Sequence, residues 1–216
     1  IEPPWGDIAR KRGPFPNDIP HPERSGLFLY LNTNKRGITL NLESAKGREI
    51  FRELIKGTDI LVEDTCPGEM QKLGLGYETL AKINPHLIMA SVTPFGQTGA
   101  YRNYKAYYLN LFHGSGLGYV TPLDIMNPDM LKREPIREAG FWGEYECGIL
   151  SATAILAALY SHRLSGKGQY IDMSQQEALI HMQRPHMAAY FEDGHSTYRT
   201  DPLASDPGFY RCKDGY

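Results

Sequence analysis

The chain lacks most features that mark a specialised environment. Cysteine is scarce: Cys66, Cys147 and Cys212 are an odd number at wide spacing. That pattern contains neither a disulfide framework nor a zinc ribbon, so a reducing cytoplasm is the expected location. Charge of one sign is not in excess, because 23 Lys and Arg against 25 Asp and Glu leave a net charge of −2. No electrostatic footprint for nucleic acid or an acidic membrane surface follows from such a balance. The pairs Lys11-Arg12 and Lys35-Arg36 are too short for a polybasic tail. The longest apolar run, Ile149 to Tyr160, holds about a dozen residues, whereas a spanning helix needs roughly 20. No signal-peptide pattern opens the sequence. Repeats, low-complexity segments, a G-x-G-x-x-G fingerprint and a P-loop are also missing, and "KLGLGYETL" has no strand directly before it. The histidines show no ligand spacing, so no metal is expected.

What is present is a run of alternating elements. Residues 3 to 26 are rich in Pro, Gly and charge and read as a loop excursion. "LFLYLN" is apolar but of open type, and alternation at Ile38, Leu40 and Leu42 predicts a short strand. Ser44 is a credible N-cap for a helix from Ala45 to Lys56, with Ile50, Phe51, Leu54 and Ile55 on one face and Gly57 as its stop. "TDILVED" reads as a buried strand. "YETLAKIN" is a helix ended by Asn84-Pro85, and "HLIMASVTPFG" is a second buried strand. Helix, strand, helix, strand at this spacing predicts an α/β fold with a parallel sheet and flanking helices.

Downstream, residues 104 to 116 are expected to form an aromatic-rich helix and 117 to 140 a Pro-rich loop. The apolar run predicts a helix to about Arg163, greasy all round and therefore buried. "QYIDMS" then predicts a strand, with another helix from Ser174 and loop from Tyr190. The opening "IEPPWGD" reads as the end of a strand and the closing "FYRCKDGY" as a strand entering a hairpin turn at Asp214-Gly215, so further residues are expected on both sides.

One stretch raises a chemical question. "FWGEYECG" places Glu144 and Glu146 immediately before the apolar helix. A carboxylate at a helix N-terminus is ordinarily a stabilising charge worth about 0.3–1 kcal/mol. The same position can also hold a reactive carboxylate. Glu146 reads as a cap or a solvated side chain, and Cys147 as a buried structural thiol rather than a nucleophile.

Four stretches, taken in order, carry a resemblance: "IEPPWGDIAR", "NTNKRGITLNL", "TDILVEDTCPGEMQKLGLGYETLAKINPHLIMASVTPFGQTG" and "AILAALYSHRLSGKGQYIDMSQQEAL". Each is weak alone. In this order and spacing, over nearly all of the chain, they resemble the family III CoA-transferases, the group containing formyl-CoA transferase and carnitine CoA-transferase. The 2-methylacyl-CoA racemases share that fold.

The resemblance implies a Rossmann-like large α/β domain, built in family members of about twice this length from both chain ends, plus a smaller domain, with two chains interlocked as a dimer. By that comparison residues 1–190 are the large CoA-binding domain without its N-terminal strand and helix and its C-terminal return, and residues 191–216 are a linker and the start of the small domain. The implied activity is transfer of CoA from an acyl-CoA to a free carboxylic acid through a covalent intermediate on a carboxylate.

Glu144 matches the nucleophile position, where family members usually carry Asp. Tyr107 matches a residue that would orient it. Lys105 matches a position meeting a CoA phosphate or the thioester end. Asp64 and Thr65, in "VEDTCPG", match the loop around the adenine and pantetheine end. Lys72, Lys35 and Arg36 match or suit phosphate contacts. CoA enters as substrate, with no metal, flavin or nicotinamide. The implied partner is a second copy or a paralogous subunit, with neither nucleic acid nor membrane. Glutamate in place of aspartate leaves open a non-catalytic subunit of a heteromeric transferase. A racemase is the third alternative, but racemases place His where Tyr107 stands, and His113 lies six positions too late for two opposed proton-transfer groups.

Overall fold

The structure is a computed structural model, and it describes residues 1–121, 134, 136–196 and 213–214. The chain divides into two compact units, residues 1–59 with 69–87, and residues 60–68 with 88–216.

In the first unit, helix α1 (Gly26–Leu31) is capped by the Ser25 hydroxyl, which accepts from the Phe28 N–H. "LFLYLN" is therefore helical. Helix α2 (Ala45–Ile55) starts where the sequence predicts, with Ser44 accepting from the Gly47 N–H. Its inward line is Gly47, Phe51 and Ile55 at intervals of four. Ile50 and Leu54 are exposed, which narrows the expected face.

The helix does not end through a left-handed Gly57. Asn84 does that work instead: its buried side-chain amide donates to the carbonyls of Ile55 and Thr58 at 3.0 and 2.8 Å. The last carbonyl of α2, which also accepts from the Thr58 N–H, and the Thr58 carbonyl just beyond the helix are thereby bonded. Short helix α3 (Glu69–Lys72) and helix α4 (Tyr77–Ile83) follow, and α2 packs on α4. Met70, Leu75, Leu80 and Leu87 join Phe51 and Ile55 among the buried apolar residues of this unit.

The strand expected at Ile38 to Leu42 is absent. Only an isolated parallel bridge between Glu2 and Thr39 forms there. A two-residue bridge gives too few ladder hydrogen bonds to fix a strand. Close by, Arg10 Nε donates to Glu2 Oε2 at 2.6 Å, its Nη1 reaches Glu23, and its guanidinium lies 3.9 Å over the Phe28 ring.

The second unit contains the sheet. Strands β1 (Ile60–Glu63), β2 (Ile88–Thr93) and β3 (Gln169–Ser174) are parallel in the order β1-β2-β3. Ile60 pairs with Ile88, and Ile88 with Gln169. Central β2 is the buried strand, as its apolar run predicts. The expected burial of β1 does not hold, for Val62 is 56% exposed. With a hydrogen-bonded neighbour on one side only among the described strands, β1 lies at the sheet's edge.

Helices α5 (Tyr108–Gly114), α6 (Leu117–Val120), α7 (Trp142–Ser165), α8 (Gln175–His181) and α9 (Arg184–Asp193) complete the unit. Helix α7 packs against β2, β3 and α8. It starts at Trp142, so Glu144 and Glu146 lie inside the helix rather than before it. At 24 residues it is, among the described residues, the one helix long and apolar enough to cross a membrane.

Burial on all sides was expected of α7, yet Ile149, Leu156, Tyr160 and Leu164 are exposed. The helix covers the sheet with one face and leaves the other uncovered. Helix α6 occupies the start of the expected loop at 117–140, most of which lies outside the described residues. Helix α9 continues past Tyr190 to Asp193 and closes on Gly194, whose φ of +75° suits a left-handed C-cap. The proposed hairpin turn at Asp214-Gly215 also falls largely outside the described residues.

Candidate active site

Two helices build the site around Glu144. On α5, Tyr108, Leu111 and Phe112 stand at i, i+3 and i+4 and therefore share a face. Leu111, Phe112, Leu117 and Leu179 form an apolar cluster, and Tyr108 and Trp142 pack against it. The Tyr108 and Phe112 rings lie 5.6 Å apart. Tyr108 is thereby fixed from one side by the core and from the other by the start of α7.

The contact with α7 depends on Gly143. A β-carbon there would fall 2.2 Å from Tyr108 Cε2 and 2.9 Å from Leu179 Cδ2. Only glycine lets the phenol ring lie directly on the helix backbone. The next residue is Glu144, in the first turn, where the helix dipole favours negative charge. Glu144 Oε2 and Tyr108 Oη are both buried without a hydrogen-bond partner among the described residues.

Burial is the main cause that pushes the Tyr108 hydroxyl up to about 12, and the charge of Glu138 adds to it, with Glu144 contributing less. The Gly143 N–H opposes the rise, yet it does not meet hydrogen-bond geometry with Oη. The phenol accordingly stays protonated at any ordinary pH.

Further acidic groups surround the pair. Burial, then the charge of Glu146, raises the Glu138 carboxyl above its usual range. Glu146 is therefore a half-buried member of an acidic cluster, not a helix cap. Arg137 lies 5.4 Å over the Tyr108 ring, and its Nη1 donates to the carbonyls of Glu138 and Gly140. Cys147 is buried, and burial first raises its thiol, so it has the character of an inert structural thiol.

The other predicted residues are distributed over both units. Tyr107 is 78% exposed at the N-cap of α5, its backbone N–H donating to Asn110 Oδ1. Lys105 is exposed on the segment just before it. Asp64 is exposed and Thr65 half-buried on the loop after β1, where the Thr65 N–H and hydroxyl both donate to Glu63. Lys72, Lys35 and Arg36 belong to the first unit and are exposed; Lys72 pairs with Glu69 at 2.6 Å. His113 packs edge-on to Phe112, and its Nε2 lies 3.0 Å from the Ile136 carbonyl. No group of three or more metal-ligating side chains occurs among the described residues.

The structure thus lays Tyr108 against Gly143, the residue before Glu144, while Tyr107 is exposed. The signal was available in "KAYYLNLF": only the second tyrosine falls on the helical stripe with Leu111 and Phe112. A cavity of about 260 Å³ was also missed. It lies at the carboxyl ends of β2 and β3, lined by Gly96, Thr98, Tyr101, Asp172 and Glu177 among others. Asp172 holds its loop by accepting the Gln97 N–H with both oxygens, at 2.9 and 3.0 Å. A Gly/Pro loop after a parallel strand is the usual place for such a crevice. None of the residues singled out in the sequence lines it.

The fold is a parallel α/β sheet flanked by helices, with a half-buried carboxylate in the first turn of α7. The chain belongs to CoA-transferase family III, whose family model matches residues 1–216. Over 217 residues it is 36% identical to the succinyl-CoA:(R)-benzylsuccinate CoA-transferase subunit BbsE of Thauera aromatica, covering 100% of this chain and 51% of that protein. It is 40% identical to the acetyl-CoA:oxalate CoA-transferase of Acetobacter aceti, covering 83% of this chain and 44% of the other. It is 33% identical to the succinyl-CoA–L-malate CoA-transferase beta subunit of Chloroflexus aurantiacus, covering 87% and 46%. The crystal structure of a CAIB/BAIF family protein from Brucella suis superposes with a TM-score of 0.77 at 33% identity, over 92% of this chain and 50% of that one. The chain spans about half the length of the relatives it matches.

Proposed function

We propose that this chain is part of an enzyme that moves CoA from an acyl-CoA to a free carboxylic acid, with Glu144 as the nucleophile. A Glu144 oxygen attacks the thioester carbonyl, the C–S bond breaks, and CoA leaves as thiolate, giving a mixed anhydride. The thiolate attacks the glutamyl carbonyl, expels the donor acid and leaves a glutamyl thioester. The acceptor carboxylate then displaces CoA thiolate to form a second anhydride. Thiolate attack on the acceptor's carbonyl releases the new acyl-CoA and restores Glu144.

The observation that carries this reading is the buried Glu144 Oε2 in the first turn of α7, which has no hydrogen-bond partner among the described residues. Leaving a buried acceptor unsatisfied costs about 1–3 kcal/mol, a cost expected where a ligand completes the site. Lys105, Lys72, Lys35 and Arg36 are proposed to meet the CoA phosphates, Asp64 and Thr65 its adenine and pantetheine end, and Tyr107 to orient the carboxylate. The chemistry is expected in a reducing cytoplasm, a setting compatible with Cys66 and Cys147 as free thiols.

The proposed domain layout keeps 1–190 as the large CoA-binding domain and 191–216 as linker and small-domain start. Further polypeptide completes the large domain, and two subunits interlock. The uncharged exposed line Ile149, Leu156, Tyr160 and Leu164 on α7 supports an additional covering segment.

A second reading is favoured by a specific observation: two of the relatives above are named as subunits of transferases. In that reading the chain is the non-catalytic subunit, and glutamate marks a site that has lost its chemistry. One experiment separates the two. The full-length protein is incubated with succinyl-CoA, quenched with hydroxylamine or borohydride, and mapped by mass spectrometry. A modified Glu144 that disappears in Glu144→Gln supports the nucleophile. No modification at Glu144, with transfer surviving in the assembled enzyme, establishes the second reading.

A further inference from the structure

We infer that Tyr108 is the hydrogen-bond donor to the oxyanion formed when Glu144 attacks a thioester; this rests on the reading of Glu144 as nucleophile. The inference begins with two orphaned atoms. Tyr108 Oη and Glu144 Oε2 are a donor and an acceptor, both buried, and neither has a partner among the described residues. They belong to neighbouring positions, because the Tyr108 ring lies on Gly143, the residue before Glu144. Two such atoms, one from α5 and one from the first turn of α7, mark a place where a third group completes the hydrogen bonding.

The third group has a defined chemistry. It must accept from a phenol and stand within reach of a carboxylate nucleophile. A thioester carbonyl oxygen does both, and its need for a donor grows as it becomes an oxyanion. No proton changes hands in this step. The Glu144 oxygen forms the new C–O bond, the carbonyl π pair moves onto oxygen, and the Tyr108 O–H holds it. The pair then returns as the C–S bond breaks and the thiolate leaves.

Competing donors are otherwise placed. The Arg137 guanidinium sits over the ring face with Nη1 on two backbone carbonyls. Lys105 and Tyr107 are exposed. Tyr108 is also held rigidly, between the apolar cluster and the α7 backbone, and a preorganised donor is what an oxyanion site requires. Burial keeps its proton on, so it donates across the whole working pH range.

The test is single-turnover acylation of the full-length protein by succinyl-CoA, read as CoA thiol release and as modification of Glu144. Tyr108→Phe keeps the ring on Gly143 and removes only the hydroxyl. Loss of one oxyanion donor is expected to slow acylation by about a hundredfold or more, with CoA affinity and melting temperature unchanged. Tyr30→Phe, at an exposed tyrosine of the first unit, is expected to leave the acylation rate unchanged. If Tyr108→Phe acylates at the wild-type rate while Glu144→Gln does not acylate, the role of Tyr108 falls and that of Glu144 stands. A Tyr108→Phe variant whose slower rate is matched by weaker CoA binding and a lower melting temperature also overturns it, because the residue is then structural. If wild-type Glu144 is never modified, both readings fall together.

Discussion

Gly143 and Tyr108 are in direct backbone-to-ring contact, so close that a β-carbon on Gly143 would sit 2.2 Å from the tyrosine ring. This contact ties the start of α7 to α5 and sets the surroundings of Glu144. Gly143→Ala must therefore push the ring off the helix. Overpacking of this kind costs about 1–3 kcal/mol, and the Tyr108 hydroxyl would be displaced with the ring. The expected result is a lower melting temperature together with slowed modification of Glu144. A variant that melts lower but reacts normally would uncouple the packing from the chemistry.

Glu144 offers a test of arm length. Glu144→Gln is expected to abolish acyl-adduct formation while leaving CoA binding intact. Glu144→Asp withdraws the carboxylate by one methylene. Misplacement by about 1 Å can cost roughly a hundredfold in rate, so a pocket fitted to glutamate should lose about that much. A faster Glu144→Asp variant would show a pocket still shaped for aspartate. Both are measured by single-turnover thiol release.

Asn84 is the clearest stability determinant of the first unit. Its amide holds the carbonyls of Ile55 and Thr58, and its Oδ1 accepts from the His86 N–H at 3.0 Å. Asn84→Ala removes these bonds and leaves the Ile55 carbonyl only its bond from the Thr58 N–H, at about 1–3 kcal/mol for such a loss. Urea unfolding should show the drop.

The Glu2–Arg10 pair predicts a pH dependence. Hydrogen bonding from Arg10 is the main cause that holds the Glu2 carboxyl at about 2, against an ordinary value of 4.5. A depressed carboxyl contributes stability that is complete above its unfolded value and is lost as pH falls toward its folded one. The stability difference between wild type and Glu2→Gln should therefore be steady above about pH 5 and shrink between 4.5 and about 2. Thermal melts across that range measure it. A constant difference would place the stabilisation elsewhere.

The exposed line on α7 tests the proposal that further polypeptide covers this face. Leu156 is 64% exposed in the 216-residue chain. Leu156→Glu should then have little effect on this chain alone, because exposed substitutions typically stay within about 0.5 kcal/mol. In the full-length protein a covering segment would bury the charge, and marked destabilisation is expected. Equal effects in both would remove the proposal that further polypeptide covers this face.

Local signals in the sequence were sufficient for several elements. Ser44 and Ser174 each cap the helix they announce, and Asn84 ends the one before Pro85. The buried run of β2 also identifies itself, because a strand covered on both faces needs apolar residues throughout. Each of these depends on neighbours in the chain or on a period that composition displays. The expected strand at Ile38 to Leu42 shows the limit, because alternation permits a strand but cannot supply its partner.

The sequence by itself determined the α/β class, the family, and a carboxylate at the start of an apolar helix. Tertiary structure decided the surroundings of that carboxylate. It put Glu144 inside α7 rather than before it, left half of that helix uncovered, turned Tyr107 to solvent and laid Tyr108 on Gly143. The physical reason is that Tyr107 is the extended N-cap of α5 and Tyr108 its first helical residue, so which of them meets Gly143 depends on how α5 packs against α7. That packing is a contact between residues 35 positions apart, and local periodicity cannot specify it.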